Sequence, residues 1–256
     1  MKLLLKFLIN TNLAVLIRNT IGLRAVSFKL TPSKIPTSVS DAFLWRTDNG
    51  YKTKFKYSNI LDLFYKKKNT WVEFHIYSKS NQLLKIEKIS NLDVSNEFEI
   101  TSKYLSNIED YGVFYIYHFS KKKLEGKDVI SNRCYLGYSK NKKLHSFVHG
   151  NTYARSTQIY AYKKNLSDIV KTSMFQNQYY TIQKEFSEFD KNELAFANPT
   201  SKILKFNVEG KDYTMNPGCS KIIEIKSSII TIKSNCMFLR PIVFSYKDNY
   251  LDVHHG

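Results

Sequence analysis

Little in this chain bends it or cross-links it. Nine glycines and five prolines are spread over 256 residues, too few for a collagen-like repeat or a Pro/Gly-rich linker protein. The three cysteines, Cys134, Cys219 and Cys236, include no CxxC pair. That excludes a zinc framework and a small disulfide scaffold. Buried thiols are the simplest reading, and a Cys219–Cys236 bridge stays open for an exported chain. Arginine is scarce, at six of the 39 basic residues, and acidic residues number 22, leaving a net charge of +17. Such a charge draws polyanions. Lysine supplies most of it, however, and arginine is the residue that makes bidentate base contacts. Frequent Asn, Ile and Tyr beside the lysines fit AT-rich codon usage. Nucleic acid is therefore disfavoured as a partner, while acidic glycan and anionic lipid stay open.

The familiar catalytic signatures are missing too: no GxSxG elbow, no P-loop, no dinucleotide fingerprint, no HExxH. No cofactor is expected. His145 and His149 fall on one face of a strand but ~13 Å apart, too far to share one metal ion, so no metal is expected either. Glu185 and Glu188 sit in "QKEFSEFDKNE", a solvated charged stretch. Whether the chain is an enzyme stays open at this level.

What is present is apolar and aromatic: 43% hydrophobic residues and 14% aromatics, enough for a packed core. The opening "MKLLLKFLINTNLAVLIRNTIGLRAVSFKL" is too interrupted for a spanning helix and has no clean cleavage site. Leu5, Ile9, Leu13, Leu16 and Ile17 recur at helical spacing. An N-terminal amphipathic helix follows, with residues 1–28 able to lie on an anionic membrane face or dock on the protein itself. Residues 30–40, "LTPSKIPTSVS", read as a linker. A cytoplasmic, membrane-peripheral location is the expectation.

Beyond residue 40 the pattern is strands. "YKTKFKYS", "TWVEFHIYS", "QLLKIEKIS" and "YGVFYIYHFS" alternate and are rich in aromatic and β-branched residues. Tyr115, Tyr117 and Phe119 share one face of the last, and Phe114, Ile116 and His118 the other. A second series begins near residue 193. Residues 53–59 align with 193–199, 71–84 with 204–215, 98–105 with 220–227, and 112–120 with 238–246. The fold class is mainly β: two immunoglobulin-like antiparallel β-sandwich modules, or one enlarged sandwich, preceded by the N-terminal amphipathic helix. The organisation is 1–40 helix and linker, 41–128 first module, 129–192 hairpin and connecting segment, and 193–256 second module.

"FANPTSKILKFNVEGKDYTMNPGCSKIIEI" resembles bacterial immunoglobulin-like modules, in which an Asn-Pro turn leads into a strand and a Pro-Gly-small turn precedes an edge strand. "SDAFLWRTDNGYKTKFKYSN" and "RPIVFSYKDNYLDVHHG" look like uncharacterised proteins of bacterial surface-polysaccharide gene regions. The resemblance implies a role near surface glycan and carries over no activity and no catalytic residue.

Two histidine-bearing ends stand out, "SFVHGNTYARS" (146–156) and "LDVHHG" (251–256). Strand ends gather at the poles of a sandwich, so distant ends can meet. The expected ligand-binding rim is His149, Asn151, Arg155, Arg240, Asp252 and His254. Arginine offers a fork of donors, and asparagine offers both donor and acceptor. This suits a sugar or carboxylate, hence a non-catalytic glycan-binding or surface-polysaccharide assembly protein. The alternatives are a histidine-dependent hydrolase or transferase using His149 and His254, and a basic nucleic-acid binder.

Overall fold

The computed structural model describes residues 7–8, 11–14, 17, 36–122, 124, 129–131, 134–141, 143–150, 153–160, 166–170, 172, 178–183, 188–226, 229–236 and 239–255. Of the expected N-terminal helix, residues 7–8, 12–14 and 17 are helical and Thr11 is a bend; the rest of that segment lies outside the described residues. No described helix is long and apolar enough to cross a membrane.

From residue 36 onward strands dominate, as the alternation requires. They are β1 (Thr37–Asp41), β2 (Phe43–Arg46), β3 (Tyr51–Ser58), β4 (Thr70–Ser78), β5 (Leu83–Ile89), β6 (Ser95–Ile100) and β7 (Tyr111–Ser120). Then follow β8 (Val129–Ser131), β9 (Tyr135–Lys140), β10 (Ser146–His149), β11 (Tyr153–Gln158), β12 (Ser167–Asp168) and β13 (Gln178–Gln183). The last are β14 (Lys191–Ala197), β15 (Leu204–Val208), β16 (Lys211–Met215), β17 (Ser220–Ile225), β18 (Ile229–Ser234), β19 (Ile242–Lys247) and β20 (Tyr250–His255).

Sheet β2-β7-β4-β5 packs on sheet β10-β9-β3-β6 to make a first sandwich. β3 shows why. Its odd positions Tyr51, Thr53, Phe55 and Tyr57 are buried, and Lys52, Lys54 and Lys56 between them face out. Phe55 meets Phe43 and Phe114 at ring-centroid distances of 4.7 and 5.0 Å, and Phe74 stacks on Phe98 at 4.3 Å. Each buried ring contributes roughly 1.5–3 kcal/mol. Trp45 is fully buried, and its Nε1–H donates to the Tyr77 carbonyl at 2.8 Å. A second sandwich packs sheet β13-β18-β15-β16 on sheet β17-β14-β19-β20 around Leu194, Phe196, Phe206 and Ile230.

The two sandwiches have the same connectivity. In chain order, β2 to β7, β9 and β10 occupy the places that β13 to β20 occupy in the second. Three of the four sequence alignments match this: β3 with β14, the β4–β5 hairpin with β15–β16, and β6 with β17. The fourth is displaced. Residues 112–120 are β7, whose counterpart is β18, whereas 238–246 contains β19, the counterpart of β9. Alternation and aromatic content are too alike among neighbouring strands to distinguish them. The hairpin set apart at 129–192 also shifts: β9 pairs with β3 and so completes the first sandwich.

Residues 37–40, expected in the linker, are instead a buried strand. β1 heads a connecting sheet, β12-β11-β1-β8, in which β1 and β8 run parallel. β2 covers β7 only as far as Phe114. Beyond it, Ser40 and Ser38 hydroxyls accept from the Ile116 and His118 amides, each at 2.9 Å, supplying the ladder that β2 does not. Val39 between them enters the second core.

The sandwiches are tied at a buried ionic knot. Arg46 grips Asp48 with two nitrogens (3.0 and 2.7 Å) and reaches Glu193 at 2.7 Å. Tyr246 donates to Glu193 at 2.6 Å, and Tyr51 to Tyr246 at 2.5 Å. The turn residues of "ANPTSK" and "NPGCS" clasp each other. The Asn198 side chain donates to the carbonyls of Lys202, Met215 and Asn216, and Gly218 adopts φ +68°. No disulfide joins the three cysteines.

Candidate functional site

The outer face of sheet β10-β9-β3-β6 is the surface that the sequence decorates most. Cross-strand register sets Lys56 beside Tyr135 and Tyr135 beside His149. One step along, Lys54, Gly137 and Phe147 stand in the same order. The Phe147 ring packs against Gly137, where a Cβ would stand 2.4 Å from the ring. Tyr135 and His149 have ring centroids 4.5 Å apart, and His145 follows Phe147 at 5.9 Å. Tyr135 is 49% and Phe147 40% exposed. Lys54 and Lys56 both hold Glu97, at 3.1 and 3.0 Å, and Lys56 also reaches over the Phe147 ring. The result is an aromatic strip ~13 Å long, its neighbouring rings tilted by 44° and 31° and its edge charged. Burial, with the neighbouring Lys54, keeps the His145 imidazole below its ordinary pKa and hence neutral.

The equivalent face of the second sandwich is not available. Its Ala195, Ile242, Phe244 and Val253 belong to the first sandwich's core. The same fold position thus serves as an interface in one module and as surface in the other.

At the end of the strip β10 meets β20. The Val253 amide donates to Ser146 Oγ at 3.0 Å, and Ser146 Oγ–H donates back to the Val253 carbonyl at 3.4 Å. His255, facing this seam, is pushed down to about 4 by burial and by the Arg240 charge, with the His149 backbone alongside. Alternation sends Asp252 and His254 to the other face of β20, where Asp252 Oδ2 stands 3.3 Å from His254 Nδ1. The contact forms on a regular strand, with β20 paired in register along β19.

The predicted rim therefore divides. His149, Arg240 and the C-terminal histidines share one pole, but the histidine next to His149 is His255, not His254. Arg155 is elsewhere, on Asp168 at 2.8 Å and 4.5 Å above the Tyr115 ring. Asn151 lies outside the described residues. Gly150 is required by close approach and not by positive φ: a Cβ there would stand 2.4 Å from Asp41 Oδ2. Tyr135 and Phe147 were missed, although the period-two spacing of His145, Phe147 and His149 puts those three on one face. Also missed was the row Trp71, Glu73, His75 on the opposite sheet, in which Glu73 accepts from Trp71 Nε1–H and contacts His75 Nε2, each at 3.3 Å. Among the described residues no group of three or more His, Cys, Asp or Glu could hold a metal ion.

No family model matches the chain, and no curated protein matches it in sequence.

Proposed function

We infer that this protein is a non-catalytic glycan-binding protein, acting in surface-polysaccharide assembly at the cytoplasmic membrane face. Its binding surface is the strip Tyr135–His149–Phe147. One observation carries the reading: Gly137 leaves room for the half-exposed Phe147 ring against the sheet, next to the Tyr135–His149 pair. Flat rings suit the apolar faces of sugar rings, while Lys54, Lys56 and the imidazoles supply polar groups for hydroxyls and acidic substituents. Arg240 and the His255 pole extend the surface at one end.

Glycan-array binding of the full chain tests the reading. Phe147→Ala and His149→Ala are each expected to reduce binding about tenfold, close to 1.4 kcal/mol, with little change in melting temperature. Unchanged binding in both folded variants would remove the strip from recognition. A second reading, a histidine-dependent hydrolase, draws support from the Asp252–His254 contact, which can orient an imidazole as a base. Oligosaccharide turnover that disappears in His254→Ala and survives in Phe147→Ala would favour it.

A further inference from the structure

A separate polar cluster lies on the other sheet of the first sandwich. β4 and β7 pair so that His75 stands opposite Tyr115 and Glu73 opposite Tyr117. Tyr115 and Tyr117 stack nearly parallel, 14° between planes, and Tyr77 packs edge-on to Tyr115. β11 lies over them. Its register sets Arg155 across from Ser40 and Thr157 across from Ser38, the two serines that bind the Ile116 and His118 amides of β7. The Arg155 guanidinium accordingly sits 4.5 Å from the Tyr115 ring centre and 5.5 Å from that of Tyr77.

The hydrogen bonding here is incomplete in a directed way. Asp168 takes only the Arg155 Nε–H, at 2.8 Å. Among the described residues the Nη1 and Nη2 groups show no hydrogen-bond acceptor. The Tyr117 hydroxyl is fully buried, faces the Arg155–Asp168 pair and has no partner; Thr157 Oγ1 is likewise buried without one. Buried hydroxyls left unpaired cost stability, and a ligand that pairs them recovers it. Burial pushes the Tyr115 phenol up to about 12 and raises that of Tyr117 well above its ordinary value, so both keep their protons and act as donors at neutral pH. The cluster is reachable from the Arg155–Asp168 side, where the side chains are 16% and 28% exposed.

We propose that this cluster binds a carboxylate, seated on the Nη1–Nη2 edge of Arg155 and accepting from the tyrosine hydroxyls. The planar fork matches a carboxylate with two parallel bonds. Asp168 engages the guanidinium only through Nε, which leaves the planar Nη1–Nη2 edge for a planar two-oxygen group. The carboxylate comes either from a small free acid or from an acidic sugar. No residue of the aromatic strip takes part, so the two sites fail or succeed separately.

The test is calorimetric titration of the full chain with acetate, D-glucuronate, D-glucose and inorganic phosphate. Saturable binding of acetate and glucuronate that Arg155→Lys weakens is expected, with no binding of phosphate; glucose bound by the aromatic strip is unaffected by Arg155→Lys. Equal affinity for the two acids identifies a site for free carboxylates; tighter glucuronate identifies one for acidic sugars. Arg155→Lys removes the fork and weakens binding roughly tenfold or more. Tyr117→Phe weakens it several-fold yet raises or preserves the melting temperature, because that hydroxyl pairs with nothing in the ligand-free fold. Absence of carboxylate binding, preference for phosphate, or a Tyr117→Phe variant that loses stability while binding normally would overturn the proposal.

Discussion

Glu193→Gln is the sharpest probe of how the two sandwiches hold together. Burial alone would raise the Glu193 pKa; the Arg46 charge, with hydrogen bonds from Tyr246, Arg46 and Lys191, outweighs burial and brings it from 4.5 to about 2. A tenfold change in proton affinity is about 1.4 kcal/mol, so the ionised carboxylate contributes about 3 kcal/mol to folding at about pH 7. Loss of one partner from a buried ion pair costs a similar ~3–5 kcal/mol. Because the folded pKa is the lower one, the contribution is complete above the unfolded value of 4.5 and is lost as pH falls toward about 2. At about pH 3 it is roughly 1.4 kcal/mol by the same linkage relation. Urea unfolding of both proteins, followed by tryptophan fluorescence, measures the difference at each pH. A loss under about 1 kcal/mol near pH 7, or a gap that does not narrow by about pH 3, refutes the assignment.

Two further outcomes follow from the same geometry. Gly112→Ala drives a Cβ to 2.1 Å from the Tyr77 carbonyl and 2.8 Å from Trp45 Nε1, and is expected to cost roughly 2–4 kcal/mol. Gly210→Ala meets nothing within 4 Å and bears only its φ of +79°, so it should cost about 1 kcal/mol; thermal melts that reverse this order contradict the packing. Burial holds His118 at about 4, and burial with Arg240 does the same for His255, against an ordinary 6.5. Both are neutral in the fold and protonate more readily when unfolded. The stability they allow is therefore present above 6.5 and lost between 6.5 and about 4. A urea midpoint flat across that window would be inconsistent with it, and His255→Gln should lessen the slope.

Strand class and facing were legible because a half-buried strand must alternate: Tyr115, Tyr117 and Phe119 do share a face, as do Tyr51, Phe55 and Tyr57. Three of four repeat equivalences were legible for the same reason. β1 was hidden because Ser38 and Ser40 look like linker residues, and only the uncovered half of β7 reveals what their hydroxyls do. The rim at His149 was half visible: its histidines stand at strand ends, but whether they face together depends on how β10 and β20 align. Arg155 reads as one residue of that rim in sequence. Only the register of β11 on β1, a long-range fact, takes it to another sheet.

The ionic knot also bears on synthesis at the ribosome. Arg46 and Glu193 are 147 residues apart, and Ser146 and Val253 are 107 apart. When the strands of the first sandwich have emerged, Arg46 has only Asp48, and the tyrosines that will meet Phe244 have no cover. The two repeats also share a strand plan, so late strands of the second could enter the first before their own partners are made. A guanidinium that accepts one particular carboxylate and penalises an apolar intruder works against that error, since a mispaired strand would leave a buried cation uncompensated. A strand other than β14 at this position would leave the buried Arg46 without Glu193, so the knot favours the native pairing of the two sandwiches.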